Sequence, residues 1–232
     1  MTQPEFDHYS PSYEELLKDP IRDRFAGNES RFFHERKRDL IRHYFRMRRM
    51  DSHRLQYLDI GCGKGELASL LSKDFQRVAG CDPSSGMLSF AKDVETRIQD
   101  DPAIIPFGAE EFDFVTAVCV YHHIPPVARL AMTREIGRVL KPGGTLAIIE
   151  HNPYNPVTRR IVSRTPVDAD AILLKPAEAK GLMESAGFAP QSLQYFLFLP
   201  RSIYFMGGDL LEAAFRWMPL GGQYAVFATR KN

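Results

Sequence analysis

At 232 residues the chain is long enough to bury the core of one sizeable α/β domain and short for two. With 44% hydrophobic and 25% charged residues it has a globular composition, and a formal net charge of +1 gives no global reason for a nucleic-acid or membrane partner. Three cysteines, Cys62, Cys81 and Cys119, are odd in number, widely spaced and without a C-x-x-C pair. They argue against a disulfide framework and fit a reducing, cytoplasmic setting.

The first residues carry acids and no apolar core, so they do not read as a signal peptide. No run of about 18 or more apolar residues suggests a transmembrane helix. Residues 1–28, with Pro4, Pro11 and Pro20, read as a loosely held arm with short helical turns. Residues 29–50 read as a helix, because Phe33, Leu40, Ile41, Tyr44, Phe45 and Met47 fall near helical spacing. Strand and helix then alternate. Strands are expected at 55–60, 77–81, 96–99, 112–120 and 145–150, with helices at 66–72, 85–92 and 127–140. That rhythm implies right-handed crossovers and a mainly parallel sheet covered on both faces. Residues 151–174 form a long, proline-punctuated connection of the kind that is usually functional. A helix at 177–186 stops at Gly187, and strands at 191–199 and 223–229 flank an apolar helical insert, 203–218. These two strands suggest an antiparallel pair at one edge of a seven-stranded sheet.

The strongest chemical signal is Leu58-Asp59-Ile60-Gly61-Cys62-Gly63-Lys64-Gly65-Glu66-Leu67, a buried strand running through three alternate glycines into a helix. Glycines let a backbone turn tightly and approach a ligand where a Cβ would collide. A dinucleotide fingerprint would place its third glycine at position 66 and a pyrophosphate on the helix N-terminus. Position 66 is Glu, whose carboxylate would repel a pyrophosphate, so a cofactor without phosphates is preferred. Asp82 closes the second strand at the position suited to ribose hydroxyls. Two further motifs follow: Asp100-Asp101-Pro102-Ala103-Ile104-Ile105-Pro106-Phe107 before Phe112-Asp113, and Leu140-Lys141-Pro142-Gly143-Gly144-Thr145-Leu146 before the fifth strand.

In this order, over roughly residues 55–150, the motifs resemble the class I S-adenosylmethionine-dependent methyltransferase family. The resemblance implies a Rossmann-like fold with an antiparallel strand at the C-terminal edge. It implies S-adenosylmethionine as cofactor and S-adenosylhomocysteine as product. It assigns the cofactor to Asp59, Gly61, Cys62, Gly63 and Gly65, to Asp82 with Pro83 and Met87, to Asp101 and Pro102 beside the adenine, and to Cys119 and Val120 near the methionine part. A single domain is then expected: a helical cap over 1–50, a cofactor-binding half over 51–150, and a substrate-side half over 151–232.

Methyl transfer from a sulfonium is an in-line displacement, catalysed by positioning and, for an oxygen or nitrogen acid, by removal of a proton. Histidine titrates near neutrality, so His123 and His151, just past the fourth and fifth strands, are the candidate bases. Loop histidines also commonly bond to backbone or stack on a ligand. No ligand-spaced motif supports a metal site at His122, His123 and His151, and none is expected. Tyr9 and Phe33 from the cap, His122, and Asn152, Tyr154 and Arg159 after the fifth strand are expected on the acceptor side. The insert reads as core packing ahead of an acceptor pocket.

The expected reaction is methylation of a small organic acceptor, with oxygen as the target atom, by a monomer or homodimer. Residues 31–54 are locally basic, which raises an RNA-methylating alternative; no appended RNA-binding module and no Asn/Asp-Pro-Pro-aromatic run after the fourth strand support it. The same basic helix with the apolar insert suits peripheral membrane contact and a lipid-linked acceptor. A non-enzymatic cofactor-binding subunit is the remaining alternative.

Overall fold

A computed structural model describes residues 5–101 and 103–231. Seven strands, β1 (Gln56–Ile60), β2 (Arg77–Asp82), β3 (Glu95–Ile98), β4 (Phe112–Val118), β5 (Leu140–His151), β6 (Phe188–Phe196) and β7 (Gln223–Arg230), form one sheet in the order β3-β2-β1-β4-β5-β7-β6. The first five pair in parallel, with Leu58 opposite both Ala79 and Val115. β7 enters antiparallel between β5 and β6, with Glu150 opposite Tyr224 and Tyr224 opposite Tyr195. The sheet is therefore the mainly parallel, Rossmann-like one that the strand–helix rhythm implies, with its antiparallel pair at the C-terminal edge.

The central strands are continuous apolar runs because both faces are covered. Alternate residues feed two cores. On one face Leu58, Val115 and Ile148 meet α7 (Pro126–Val139) and α9 (Pro176–Ser185), which follow the N-terminal helices α1 (Glu5–Tyr9), α2 (Tyr13–Leu16), α3 (Pro20–Ala26) and α4 (Arg31–Arg48), then α5 (Glu66–Leu71), α6 (Ser85–Leu88) and α8 (Pro156–Val162) in the chain. On the other face Tyr57, Phe114, Ile149 and Phe227 meet α4 and α5. There α4 lays Leu40, Ile41, Tyr44 and Phe45 on the sheet at helical spacing. Tyr44 stacks on Phe227 at 4.1 Å, and Phe114 lies among Phe45, Tyr57 and Phe75 at 5.0 to 5.7 Å between ring centres.

Four expectations change. The arm is not loose. Asp19 caps α3 by accepting from the Ile21 and Arg22 amides, and Asp7 Oδ1 accepts from Ser84 Oγ at 2.6 Å and the Gly86 amide at 2.9 Å. The helix expected at 85–92 is a single turn, α6, after which the chain turns to reach β3. β5 begins at Leu140, not at 145: Leu140 already pairs with Phe112, and the ladder shifts register before Thr145 pairs with Phe114. The insert is not one helix packed in the core. It runs through α10 (Arg201–Ile203), a wide turn at Tyr204–Gly208 with Gly207 at φ 91°, and α11 (Asp209–Phe215). Met206, Leu210 and Trp217 stand out from it into solvent.

Candidate active site

Strand order reverses between β1 and β4, and the loops leaving their carboxyl ends part company there. β1 runs into Gly61, Gly63 and Gly65, all at positive φ. At Gly61 a Cβ would come within 2.5 Å of Val120 Cγ2, so the two loops touch at the floor of the cleft. At Gly63 a Cβ would meet nothing within 4 Å, which leaves the crest of the loop open toward the space above. Gly65 instead backs against Ala91, and does not face the cleft.

Three acids set the cleft's polarity. Asp82, at the end of β2, accepts from the Gly63 amide through Oδ2 and from the Ser84 amide through Oδ1, both at 2.9 Å. It holds the glycine loop in place, and burial pushes its carboxyl up. Asp7 pins α1 against the loop after β2, through Ser84 and Gly86. Asp59, on β1, accepts from Thr116 Oγ1 at 2.5 Å, while Tyr57 and Thr116 share a further bond at 2.8 Å. Burial raises the Asp59 carboxyl to about 7.

One cavity of about 610 Å³ opens above this loop, a volume typical of small-molecule sites. Asp82, Pro83, Met87 and Gln99 line one end, and Asp59, Gly61, Cys62, Gly63, Cys119 and Val120 line the floor. Leu17, Ile21, Phe25, Phe33, Ile161 and Val162, from the N-terminal helices and α8, close the far end with apolar side chains. His122, His123, His151 and Asp168 stand on the wall between floor and far end.

The histidines are not equivalent. His122 is buried with Nδ1 2.6 Å from Glu150 Oε2 and Nε2 3.3 Å from Asp168 Oδ1. Burial opposes its charge, but Glu150 first and then Asp168 outweigh burial and raise its pKa well above the ordinary value. His123 and His151 are pushed down to about 4, by burial and then by the charge on His122. His123 Nε2 faces Asp168 at 3.6 Å and its ring meets Phe6 edge-on. Neither ring nitrogen of His151 has a hydrogen-bond partner among the described residues. One ligand atom each from His122, His123 and Asp168 lies within 4.8 Å of the others, close enough to share a cation.

The cavity brings together both candidate bases, His122, Phe33 and most of the cofactor positions read from the sequence. It does not bring in Asp101, which is exposed and accepts from the Ala103 amide at 2.8 Å. Pro102 lies outside the described residues. Gln99, buried two positions before Asp101, lines the cavity instead. Tyr9 packs edge-on against Phe6 behind the lining. Asn152 is buried structure, its Nδ2 donating to the carbonyls of Pro219 and Gly221, and Tyr154 and Arg159 face solvent. Asp7, Lys37, Glu150 and Asp168 were not singled out from the sequence. Asp168 lay in the long connection already marked as functional, Lys37 in the basic stretch read for an RNA or membrane partner, and Glu150 at the head of the run that supplies His151. On the basic helix, Arg36 pairs with Glu212, Arg42 with Asp74 and Arg38 with Asp39, so those charges serve the fold and do not form a stripe for phosphates.

Residues 58–148 match the family described as a methyltransferase domain, and the sheet order and glycine loop have the form that the resemblance to class I S-adenosylmethionine-dependent methyltransferases implies. A 2-phytyl-1,4-naphtoquinone methyltransferase of Synechococcus elongatus is 30% identical over 152 residues, which are 60% of this chain and 63% of that one. A ubiquinone biosynthesis O-methyltransferase of Coxiella burnetii is 32% identical over 96 residues, 38% of this chain and 40% of that one. The chain thus spans less than two thirds of the length of these curated relatives. Among solved structures, a methyltransferase from Thermotoga maritima described as a possible histamine N-methyltransferase superposes with a TM-score of 0.68 at 18% identity. The match covers 97% of this chain and 98% of that one. One from Archaeoglobus fulgidus gives 0.62 at 18% identity, covering 87% and 100%. At that identity the likeness establishes the fold. The cofactor of this class is S-adenosylmethionine, and the open crest at Gly63, with Asp59 and Asp82 on either side of the loop, fits a ligand that carries a ribose and an amino acid but no phosphate.

The buried charge pair has a measurable pH signature. His122 is raised above its ordinary 6.5, so its charge contributes stability that is complete below that pH and lost as pH rises through the folded value. Glu150 is lowered from 4.5, so its contribution is present above that pH and lost in acid. Glu150→Gln, which leaves a buried cation short of a partner, is expected to cost about 3–5 kcal/mol. In denaturant unfolding the deficit should be largest between about pH 5 and 6.5 and shrink toward alkaline pH. A deficit independent of pH would mean that His122 is uncharged.

Proposed function

We propose that this chain transfers the methyl group of S-adenosylmethionine to an oxygen nucleophile on a small, largely apolar acceptor, with an aromatic or quinone-like ring as its class. The observation that carries the reading is a single cavity joining the glycine loop to an apolar chamber, with uncharged histidines on the wall between them. Relatives named for a phytyl naphthoquinone and for ubiquinone biosynthesis support that acceptor class.

S-adenosylmethionine supplies a methyl group on a sulfonium whose leaving group is a neutral thioether. The chain's own residues do the rest. Asp82 accepts from the ribose hydroxyls, and the glycine loop turns its backbone to the ligand. The apolar end excludes water and holds the acceptor ring so that its oxygen faces the methyl carbon. His151 takes the hydroxyl proton on a free ring nitrogen as the new O–C bond forms. Its low basicity, set by burial and by His122 beside it, suits an already acidic hydroxyl such as a phenol.

Two measurements test this. In calorimetry with S-adenosylhomocysteine, Asp82→Asn should weaken binding about tenfold or more, since a hydrogen bond to a charged group contributes about 1.5–3 kcal/mol. NAD should give no heat with the wild type. Unchanged affinity in the variant would remove the ribose role. In turnover of a panel of phenols, His151→Ala should lose about a hundredfold in kcat, near the low end of general-base effects. Wild-type turnover should show no histidine limb between pH 6 and 8 and should fall only as pH drops toward 4, where His151 gains its proton. Full turnover in His151→Ala would leave positioning alone as the source of catalysis.

A second reading, delivery of a lipid-linked acceptor from a bilayer, is favoured by the surface beside the chamber. Met206, Leu210 and Trp217 are more than 70% exposed, and Leu220 is exposed beside them in sequence. The Leu220 carbonyl accepts from Asn155 Nδ2 at 2.7 Å, which sets this segment against the start of α8. α8 lines the chamber with Ile161 and Val162 and turns Arg159 and Arg160 outward. An apolar patch with a basic rim fits an anionic membrane surface. Trp217 is the sole tryptophan, so its emission should shift to the blue on adding phosphatidylglycerol vesicles and stay unshifted with phosphatidylcholine alone. No shift with either removes the membrane reading.

A further inference from the structure

His122, His123 and Asp168 stand together on the cavity wall, and one ligand atom from each lies within 4.8 Å of the other two. The turn after β4, Tyr121–His123, supplies both histidines, and the turn Pro166–Asp168 beyond α8 supplies the aspartate. No motif along the chain announces the group, because its members come from two separate turns. Asp168 Oδ1 lies 3.3 Å from His122 Nε2 and 3.6 Å from His123 Nε2. Two ligands about 2.0–2.2 Å from one tetrahedral ion stand about 3.3–3.6 Å apart, so these are the spacings of a ligand set.

The far side of His122 is built as it is behind ligating histidines. Its Nδ1 is 2.6 Å from Glu150 Oε2, and the other oxygen of that buried carboxylate accepts from the Tyr121 amide at 2.7 Å. A carboxylate on one ring nitrogen fixes the direction of the ring and leaves the other nitrogen aimed at a metal. Two imidazoles with one carboxylate suit zinc, iron(II) or cobalt(II), whereas magnesium and calcium take oxygen ligands. We propose that His122, His123 and Asp168 bind a divalent transition-metal ion whose remaining position opens into the cavity and takes the oxygen of the methyl acceptor. The ion displaces the Nε2 proton of His122 to solvent. A hydroxyl on such an ion gives up its proton more readily. That proton passes to His151, whose ring centre is 5.2 Å from that of His122, and the oxygen forms its bond to the methyl carbon as the sulfur–carbon bond breaks. The acceptor's place on the ion rests on the methyl-transfer reading of the cavity; the ion site does not.

Calorimetry with Zn²⁺ alone tests the site without donor or acceptor. The wild type should bind one ion per chain, and Mg²⁺ should give no heat. Asp168→Asn and His123→Gln should each weaken Zn²⁺ about a hundredfold or more, since even the partners behind metal ligands are worth about ten- to a hundredfold. His53→Gln, on the exposed turn before β1, should bind as the wild type does. Melting curves recorded without metal show that each variant is folded. A wild type that binds no Zn²⁺, or an affinity that both Asp168→Asn and His123→Gln retain, overturns the site. Loaded with Co²⁺, the protein should show a visible absorption band that shifts on adding a phenol and stays in place with the methyl ether of that phenol. A band that the phenol does not move overturns the acceptor's place on the ion. Zinc-loaded protein that methylates no phenol while Zn²⁺ stays bound overturns the methyl-transfer reading instead, so the two failures are distinct.

Discussion

A sheet whose strand order reverses must open where it reverses. The chain leaves β1 through α5 to β2 on one side and leaves β4 through α7 to β5 on the other. The loops at the carboxyl ends of β1 and β4 are thereby sent apart, and no rearrangement of side chains can close the gap between them. Gly61 against Val120 marks how closely the loops meet before they diverge. The rest of the molecule is arranged around that opening. The acids at the ends of β1 and β2 line it, the histidines past β4 and β5 stand on its wall, and α1 to α4 with α8 roof it.

The roof is held by a small number of buried polar contacts. Asp7 reaches the loop after β2, and Arg129, almost fully buried on α7, binds the Ile124 and Ile172 carbonyls and Glu178 together. Glu150, His122 and Asp168 join the end of β5, the turn after β4 and the connection beyond α8. Burying charges is tolerable only where they are paired, and this triad is paired along its length. Its consequence for chemistry is indirect. Burial, and then the one charged histidine between two carboxylates, suppresses protonation of His123 and His151, so the site holds uncharged bases at neutral pH.

Features encoded by neighbours in sequence were legible without coordinates. The buried run into Gly61, Gly63 and Gly65 specifies a strand, a turn and a helix within about ten residues, and the apolar runs at β4 and β5 declare strands covered on both faces. Asp59 and Asp82 follow from their places at strand ends. What escaped depends on partners far along the chain. Asp7 is an ordinary acid in a polar segment until it meets Ser84 and Gly86. Lys37 is one of many cations in a basic stretch until the helix turns it inward while Arg36 finds Glu212. The aspartate expected beside the adenine sits on an exposed turn, because the short path from β2 through one turn of α6 brings Gln99 to the cavity wall and carries Asp101 past it. The insert, read from its apolar residues as one helix packed in the core, is neither. Gly207 and the wide turn at Tyr204–Gly208 break it, and the following helix shows apolar side chains to solvent.

α4 ties these parts into one device. Its core face, through Tyr44 and Phe45, is locked to β7 and β4 by stacked and edge-on rings, so the helix cannot rotate without breaking these aromatic contacts. That fixes Arg36 and Lys37 in direction. Arg36 anchors Glu212, and Glu212 accepts from the Leu197 amide and bonds to the Tyr204 hydroxyl, so the same helix sets where the C-terminal insert lies. Lys37 and Phe33 both line the cavity. In the proposed function, donor and acceptor sides would thus be positioned by a single rigid element, which suits in-line transfer, because a misplacement of about 1 Å between nucleophile and methyl carbon is enough to cost two orders of magnitude in rate.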